Sequence, residues 1–365
     1  MKISRRAFIQ NTLGALALPS LYPFSSFAEG DNWKRYEITT ELSIDAPNQI
    51  VQAWIPLPLS KDTNYFKTIS IATDGDAKQA SVFKTPTGDT RMLWGQWDVS
   101  SSSRNLVSTF LIATRERNTL SRQFNQALIL SKEEHAYWTH ATEFLPTDGI
   151  VKEKVNQILK PLPKNASDIE KAKAIYNWVV ENTYRDPATK GCGVGDVKLM
   201  LETNNLGGKC ADINAVYVAL ARSAGIPARD VYGIRVDDSV RGYKSLGRST
   251  DISKAQHCRA EFFAKGFGWV AVDPADVRKV ILEEPGNLTL NDPKVIAIRD
   301  YLFGNWEMNW MPYNYGHDIA LPGSKLGGKG KIPFLMYPQG ETKEGRLDSL
   351  DPVNFKYKIT SKRID

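Results

Sequence analysis

The sequence predicts an α+β protein, with an N-terminal β-sandwich-like domain ahead of a mixed helical and stranded core. Three observations predict it. Alternating apolar residues with turns between them mark strands from about Trp33 to Thr114, the pattern becomes helical near Ser131, and strands return from Arg229. A length of 365 residues allows two or three domains. With 42% hydrophobic and 24% charged residues, the chain is neither disordered nor collagenous, nor a polytopic membrane protein. Three cysteines are too few for a disulfide scaffold, and no C-x-x-C pair suggests zinc.

The first element is an address. Ser4-Arg5-Arg6-Ala7-Phe8-Ile9-Gln10 has the form of a twin-arginine export signal. The apolar run from Leu13 to Leu18 is too short to span a bilayer. Ser26-Phe27-Ala28 offers small residues for cleavage, so residues 1–28 are set aside from the fold. The expected location is the periplasm or beyond, without stable membrane insertion once the signal is removed. Setting aside Lys2, Arg5 and Arg6 lowers the formal charge from +6 to +3. No basic stripe with interleaved aromatics accompanies it, so nucleic acid is not an expected partner.

Strands follow. Tyr36, Ile38, Thr40, Leu42 and Ile44 alternate with polar residues, and Val51, Ala53 and Ile55 continue the pattern. Met92–Val99 and Leu106–Ala113 flank Ser100-Ser101-Ser102-Ser103, which reads as a hairpin turn. Helices come next. Ile150–Leu159 is amphipathic and stops before Pro161. Ser167-Asp168-Ile169-Glu170 has capping-box spacing ahead of an apolar face made by Ala172, Ile175, Tyr176, Val179 and Val180. Asp196–Leu201 is a short helix, and Cys210–Ala224 a longer one ended by Gly225 and Pro227. Strands return at Arg229–Val236, His257–Phe263 and Trp269–Asp273, the last two joined by Gly266-Phe267-Gly268. The 20 residues from Asp237 to Gln256 have the length of a lid or binding loop. From Pro285 the chain is irregular and aromatic-rich, with a final strand pair near Pro333–Tyr337 and Phe355–Ile359.

Cys210 opens a helix after Gly207-Gly208-Lys209. Unpaired N–H groups and positive potential at a helix start stabilise a thiolate. A buried structural cysteine is the alternative from position alone. His257 begins a strand, and Asp273 ends its neighbour 16 residues later. A histidine there can exchange a proton with Cys210, and an aspartate can hold its ring by the far nitrogen.

Gly208-Lys209-Cys210-Ala211-Asp212, then Ala224-Gly225-Ile226-Pro227-Ala228-Arg229 and Val231-Tyr232-Gly233, resemble the transglutaminase-like superfamily. His257 through Glu261, Gly268-Trp269-Val270 and Asp273-Pro274 resemble its second motif, and Ile175–Val179 fits the helix before the cysteine. The resemblance spans about residues 165–275. It implies a papain-like core with Cys210 as nucleophile, His257 as base and Asp273 as orienter, and no cofactor or metal. Taken with the patterns along the chain, four segments are expected: the signal at 1–28, a sandwich-like domain at 31–118, a catalytic domain at 130–284 and an aromatic-rich extension at 285–365.

The implied reaction is attack on a carboxamide to form a thioester, followed by hydrolysis or transfer to an amine. A cysteine peptidase or amide hydrolase is the leading expectation. The alternatives are a protein-glutamine acyl transferase and a non-catalytic scaffold. Expected partners are protein, peptide or cell-wall peptide substrates. The backbone N–H of Cys210 is one oxyanion donor; Tyr184, Asn204 and Asn205 are candidates for a second. Strand alternation turns Cys258 away from the Cys210–His257 pair, free to pair with Cys192 in an oxidising compartment or to remain a thiol. His135 and His140 read as surface residues, and Asp237, Asp238 and Asp251 lack the dense acids of a calcium loop. Trp306, Trp310, Tyr313 and Tyr315 could wall a groove or staple the tail to the core. Arg241, Lys244, Arg248 and Lys254 make the long loop basic, either as a solvated surface or as a lid for acidic substrates.

Overall fold

The structure is a computed structural model that describes residues 32–86, 88–350 and 355–365. The twin-arginine segment lies outside the described residues. Six strands build the N-terminal half: β1 (Lys34–Ile44), β2 (Val51–Leu57), β3 (Phe66–Gly75), β4 (Gln79–Lys84), β5 (Arg91–Trp97) and β6 (Asn105–Thr114). In β1 the alternating residues Tyr36, Ile38, Thr40, Leu42 and Ile44 are the buried ones, as period two requires. Both sheets that these strands enter are antiparallel. One contains β1, β6 and β3, and the other contains β2, β5 and β4.

Two expectations fail here. Met92–Val99 and Leu106–Ala113 do not form a hairpin, because β5 pairs with β2 and β4 while β6 pairs with β1 and β3. Ser100–Ser103 therefore carries the chain from one sheet to the other. The C-terminal residues 285–365 also do not form an extension of their own. β11 (Gln339–Thr342) pairs with β2, and β12 (Phe355–Arg363) pairs with β1 from Tyr36↔Arg363 to Ile44↔Phe355. The Phe355–Ile359 strand is present, whereas Pro333–Tyr337 is not a strand. Trp54, Met92 and Trp94 are covered on the outer face of the second sheet by Ile319, Leu321 and Leu335.

The core packs five helices and a four-stranded sheet. The helices are α1 (Lys132–Thr139), α2 (Ile150–Leu159), α3 (Asp168–Asn182), α4 (Val197–Glu202) and α5 (Cys210–Ser223). Ser167 caps α3 with the capping box its sequence announces. Every residue of α5 is buried, so it is the central helix. The sheet consists of β7 (Ala228–Arg235), β8 (Gln256–Ala264), β9 (Gly268–Val272) and β10 (Trp310–Asn314), in the order β9-β8-β7-β10. Two further helices follow β9, α6 (Pro274–Glu283) and α7 (Pro293–Tyr301). Trp306, Trp310, Tyr313 and Tyr315 are buried, which makes them staples and not a groove wall. Among the described residues no helix is long and apolar enough to cross a membrane.

Candidate active site

The site begins with how the chain places Cys210 at the start of α5. The carboxylate of Asp212 accepts hydrogen bonds from the backbone N–H groups of Lys209, Val194 and Gly195, each at 2.9 Å. It thereby caps α5 and ties down the loop that carries Cys192. Two glycines make room for it. A Cβ on Gly193, at φ +89°, would meet Asp212 Oδ2 at 1.8 Å, and one on Gly208 would meet the same side chain at 2.5 Å. The glycines and the acid around Cys210 are thus one packing unit.

His257 stands at the start of β8. Its Nε2 lies 2.7 Å from Asp273 Oδ2 and 3.3 Å from Asp276 Oδ2. With Nε2 engaged by carboxylates, Nδ1 is the ring nitrogen left for Cys210, which lines the same cavity and feels the imidazolium charge. Asp273 is the N-cap of α6 and accepts the N–H of Asp276. Asn214, one helical turn after Cys210, donates to Asp273 Oδ1 at 3.3 Å and to the Cys258 carbonyl at 2.9 Å. The three residues singled out in the sequence therefore converge.

Asp276 was missed. The signal was present: Asp273-Pro274 has the N-cap and N1 residues of a helix start, which would place Asp276 at N3 beside its own cap. Arg235 Nη2 holds Asp276 at 2.6 Å, and Arg259 Nε lies 3.6 Å from Asp273. His257, Asp273 and Asp276 bring donor atoms within 4.8 Å of one another, a spacing suited to a metal ion. The two arginines already supply positive charge to these carboxylates, so the cluster reads as an ion-pair network.

The electrostatics follow from this geometry. Burial alone would lower the His257 pKa, but the charges of Asp276 and Asp273 outweigh burial and Arg235 and push it up to about 9. Burial would raise Cys210, yet hydrogen bonds with Cys192, Cys258 and His257, and the imidazolium charge, hold it well below the usual thiol range. Both directions favour a thiolate–imidazolium pair. Burial and the Asp276 charge raise Asp273, whereas Arg235 and His257 keep Asp276 ionised well below the ordinary carboxylate range against its burial.

Cys258 is buried on β8 and does not line the cavity, but the Cys210 charge reaches it and helps burial raise its pKa. Alternation fixes the faces of β8, and Cys210 sits on another element, whose first turn meets the start of that strand. Cys192 lines the cavity beside Cys210, accepts from the Tyr337 hydroxyl at 3.1 Å and donates to the Gln256 carbonyl at 3.3 Å. All three cysteines are free thiols. The nearby Cys210 sulfur and burial raise Cys192, and burial with the Cys210 charge raises Cys258, so both stay protonated.

A cavity of about 640 Å³ opens over Cys210, Cys192 and His257. The 237–256 segment lines one side of it and β12 another. That segment is anchored: Tyr243 Oη donates to the Lys294 carbonyl, the Ser245 N–H to Glu284, and Arg235 to the Leu246 carbonyl. It forms a fixed wall. Tyr184, Asn204 and Asn205 do not line the cavity, and the Tyr184 hydroxyl donates to Asn205.

The sequence model described as the transglutaminase-like superfamily matches residues 156–274. An uncharacterised protein of Haemophilus influenzae is 36% identical over 347 residues, covering 90% of this chain and 91% of that protein. A solved structure from Cytophaga hutchinsonii, provisionally described as a cysteine protease, superposes with a TM-score of 0.55 at 12% identity, covering 92% of both chains. It shares the fold. The periplasmic domain of TgpA from Pseudomonas aeruginosa matches 68% of this chain and 89% of its own, with 13% identity and a TM-score of 0.36.

Proposed function

The chain belongs to the transglutaminase-like superfamily, in one family with the Haemophilus influenzae protein, and on that premise we propose that it is an exported cysteine peptidase or amide hydrolase. One observation carries the reading: Cys210, at the start of a buried helix, lines one cavity with a His257 whose Nε2 is 2.7 Å from Asp273 and whose charge holds the Cys210 thiol down. The Cys210 thiolate attacks an amide carbonyl, and the negative oxygen develops beside the N–H of Cys210 at the helix start. The His257 imidazolium then protonates the departing amine as the C–N bond breaks and a thioester remains. Neutral His257 takes a proton from water, which attacks the thioester. The acid product leaves, and the thiolate–imidazolium pair is restored. Asp273 holds the ring throughout. The twin-arginine motif at Arg5-Arg6 supports a workplace outside the cytoplasm.

Limiting iodoacetamide at pH 6 tests the premise of the mechanism. A free thiol near pKa 8.5 is scarcely ionised there, so peptide mapping should find Cys210 modified ahead of Cys192 and Cys258. His257→Ala should slow that modification roughly a hundredfold. Uniformly slow labelling of all three cysteines in the folded protein would sink the reading and favour a scaffold. Product analysis with and without an added primary amine then separates hydrolysis from acyl transfer.

A further inference from the structure

The chain as a whole is nearly balanced, with 47 basic and 41 acidic residues. The cavity over Cys210 is not. Among the described residues, eight lysines and arginines line it against a single carboxylate, Glu283. Arg235 is already matched by Asp276, and Arg185 and Lys279 share Glu283 at 2.5 and 3.6 Å. Lys209, Lys244, Lys254 and Lys356 form no ion pair among the described residues, and Arg248 spends its Nε on the Asp251 carbonyl. Lys209 adjoins the nucleophile, Lys244, Arg248 and Lys254 come from the anchored 237–256 wall, and Lys356 comes from β12. Segments far apart in sequence thus deliver the same charge to one cavity. Lys279 sits deeper, its side chain 18% exposed, and burial holds its pKa below the ordinary lysine value.

We infer that the cavity selects an acidic peptide, whose carboxylates seat on Lys209, Lys244, Arg248, Lys254, Lys279 and Lys356 while the scissile amide meets Cys210. The inference rests on the proposed thiol chemistry and adds the substrate class. Like charges around a concave, low-dielectric wall concentrate anions, and the advantage falls with ionic strength. A volume of about 640 Å³ lies within the ordinary range for a ligand site. A cationic or neutral peptide would leave the ammonium groups of Lys209, Lys244, Lys254 and Lys356 without a carboxylate partner among the described residues.

Two small alkylating reagents test this without a known substrate. Iodoacetate and iodoacetamide each form a thioether with the Cys210 sulfur and release iodide, but only iodoacetate is anionic. The readout is the ratio of their second-order rates at Cys210, measured at low ionic strength on the intact protein and on Lys244→Gln/Lys254→Gln/Lys356→Gln. These three side chains are exposed, so the variant should fold. The expected result is a ratio lower by about three- to tenfold in the variant, with the difference narrowing in high salt. A glutamate hexapeptide should also protect Cys210 from iodoacetamide where a lysine hexapeptide does not. An unchanged ratio with Cys210 still selectively alkylated would overturn the anionic preference and leave the thiol mechanism standing. No selective alkylation by either reagent would overturn both.

Discussion

His257 is gripped by two carboxylates, and this sets how the site should respond to pH. Catalysis needs Cys210 as thiolate and His257 as imidazolium together. Activity is therefore present above the depressed Cys210 pKa and is lost as pH rises through about 9, where His257 gives up its proton. The Asp276 charge is the largest influence raising His257. Asp276→Asn should then move the alkaline limb to lower pH and leave the acid limb, where His257 is still protonated, little changed, narrowing the profile from the alkaline side. A pH–rate profile of amide hydrolysis, or of Cys210 alkylation for the acid limb, checks it; an unshifted alkaline limb would show that Asp273 alone sets the ring's charge. Cys210, His257 and Asp273 were legible because each begins or ends an element whose pattern is plain. The mutual approach of Cys210, Cys192 and Cys258 was not, since it depends on where a helix crosses a strand and not on either element alone.

The first turn of α5 (Cys210–Ser223) depends on the Asp212 carboxylate and on the glycines that admit it. Gly193→Ala would add a methyl group 1.8 Å from Asp212 Oδ2, on a backbone at φ +89° that L-residues rarely adopt. The expected cost is about 1–3 kcal/mol from the backbone alone, with the loop carrying Cys192 displaced. Thermal unfolding should report the destabilisation, and iodoacetamide labelling at pH 6 should report a slower Cys210. Gly225→Ala is the contrast, since it shares a positive φ of +82° but has open space at its Cβ, away from the site. If both variants lowered stability but neither slowed labelling, the Asp212 cap would be structural only. The helices of the core were readable from sequence because they carry caps and an apolar period. β3 (Phe66–Gly75) and β4 (Gln79–Lys84) were not, because their side chains are largely exposed and show no alternation. α6 (Pro274–Glu283) was lost for another reason, its Asp-Pro start having been read as the end of a strand.

Across the whole molecule, the C-terminal residues return to the first strand, so the sandwich closes only when the last segment is in place. Local pattern identifies β12 (Phe355–Arg363) as a strand, but pairing across more than 300 residues leaves no mark in either partner's own sequence. The sandwich and the core are joined by a buried charge cluster. Glu261 on β8 accepts from Arg117, just after the sandwich, from Arg229 on β7 at 2.7 Å, and from the Tyr65 hydroxyl at 3.2 Å. The Arg117 guanidinium lies 4.2 and 4.3 Å from the ring centres of Tyr65 and Trp306, and that of Arg229 lies 3.7 Å from those of Trp269 and Tyr315. The two arginines hold Glu261 ionised below its ordinary range despite complete burial. Removing the acid leaves two cations facing each other at the junction, and breaking a buried pair in this way costs about 3–5 kcal/mol. Glu261→Ala should therefore lower the unfolding temperature strongly. Glu261→Gln keeps the volume and the Tyr65 acceptor but loses the charge, so it should recover only part of the loss. Equal stability of Glu261→Gln and the parent would mean that shape, and not charge, joins the two layers; a second, separate unfolding step in Glu261→Ala would show that this cluster is what makes them melt as one.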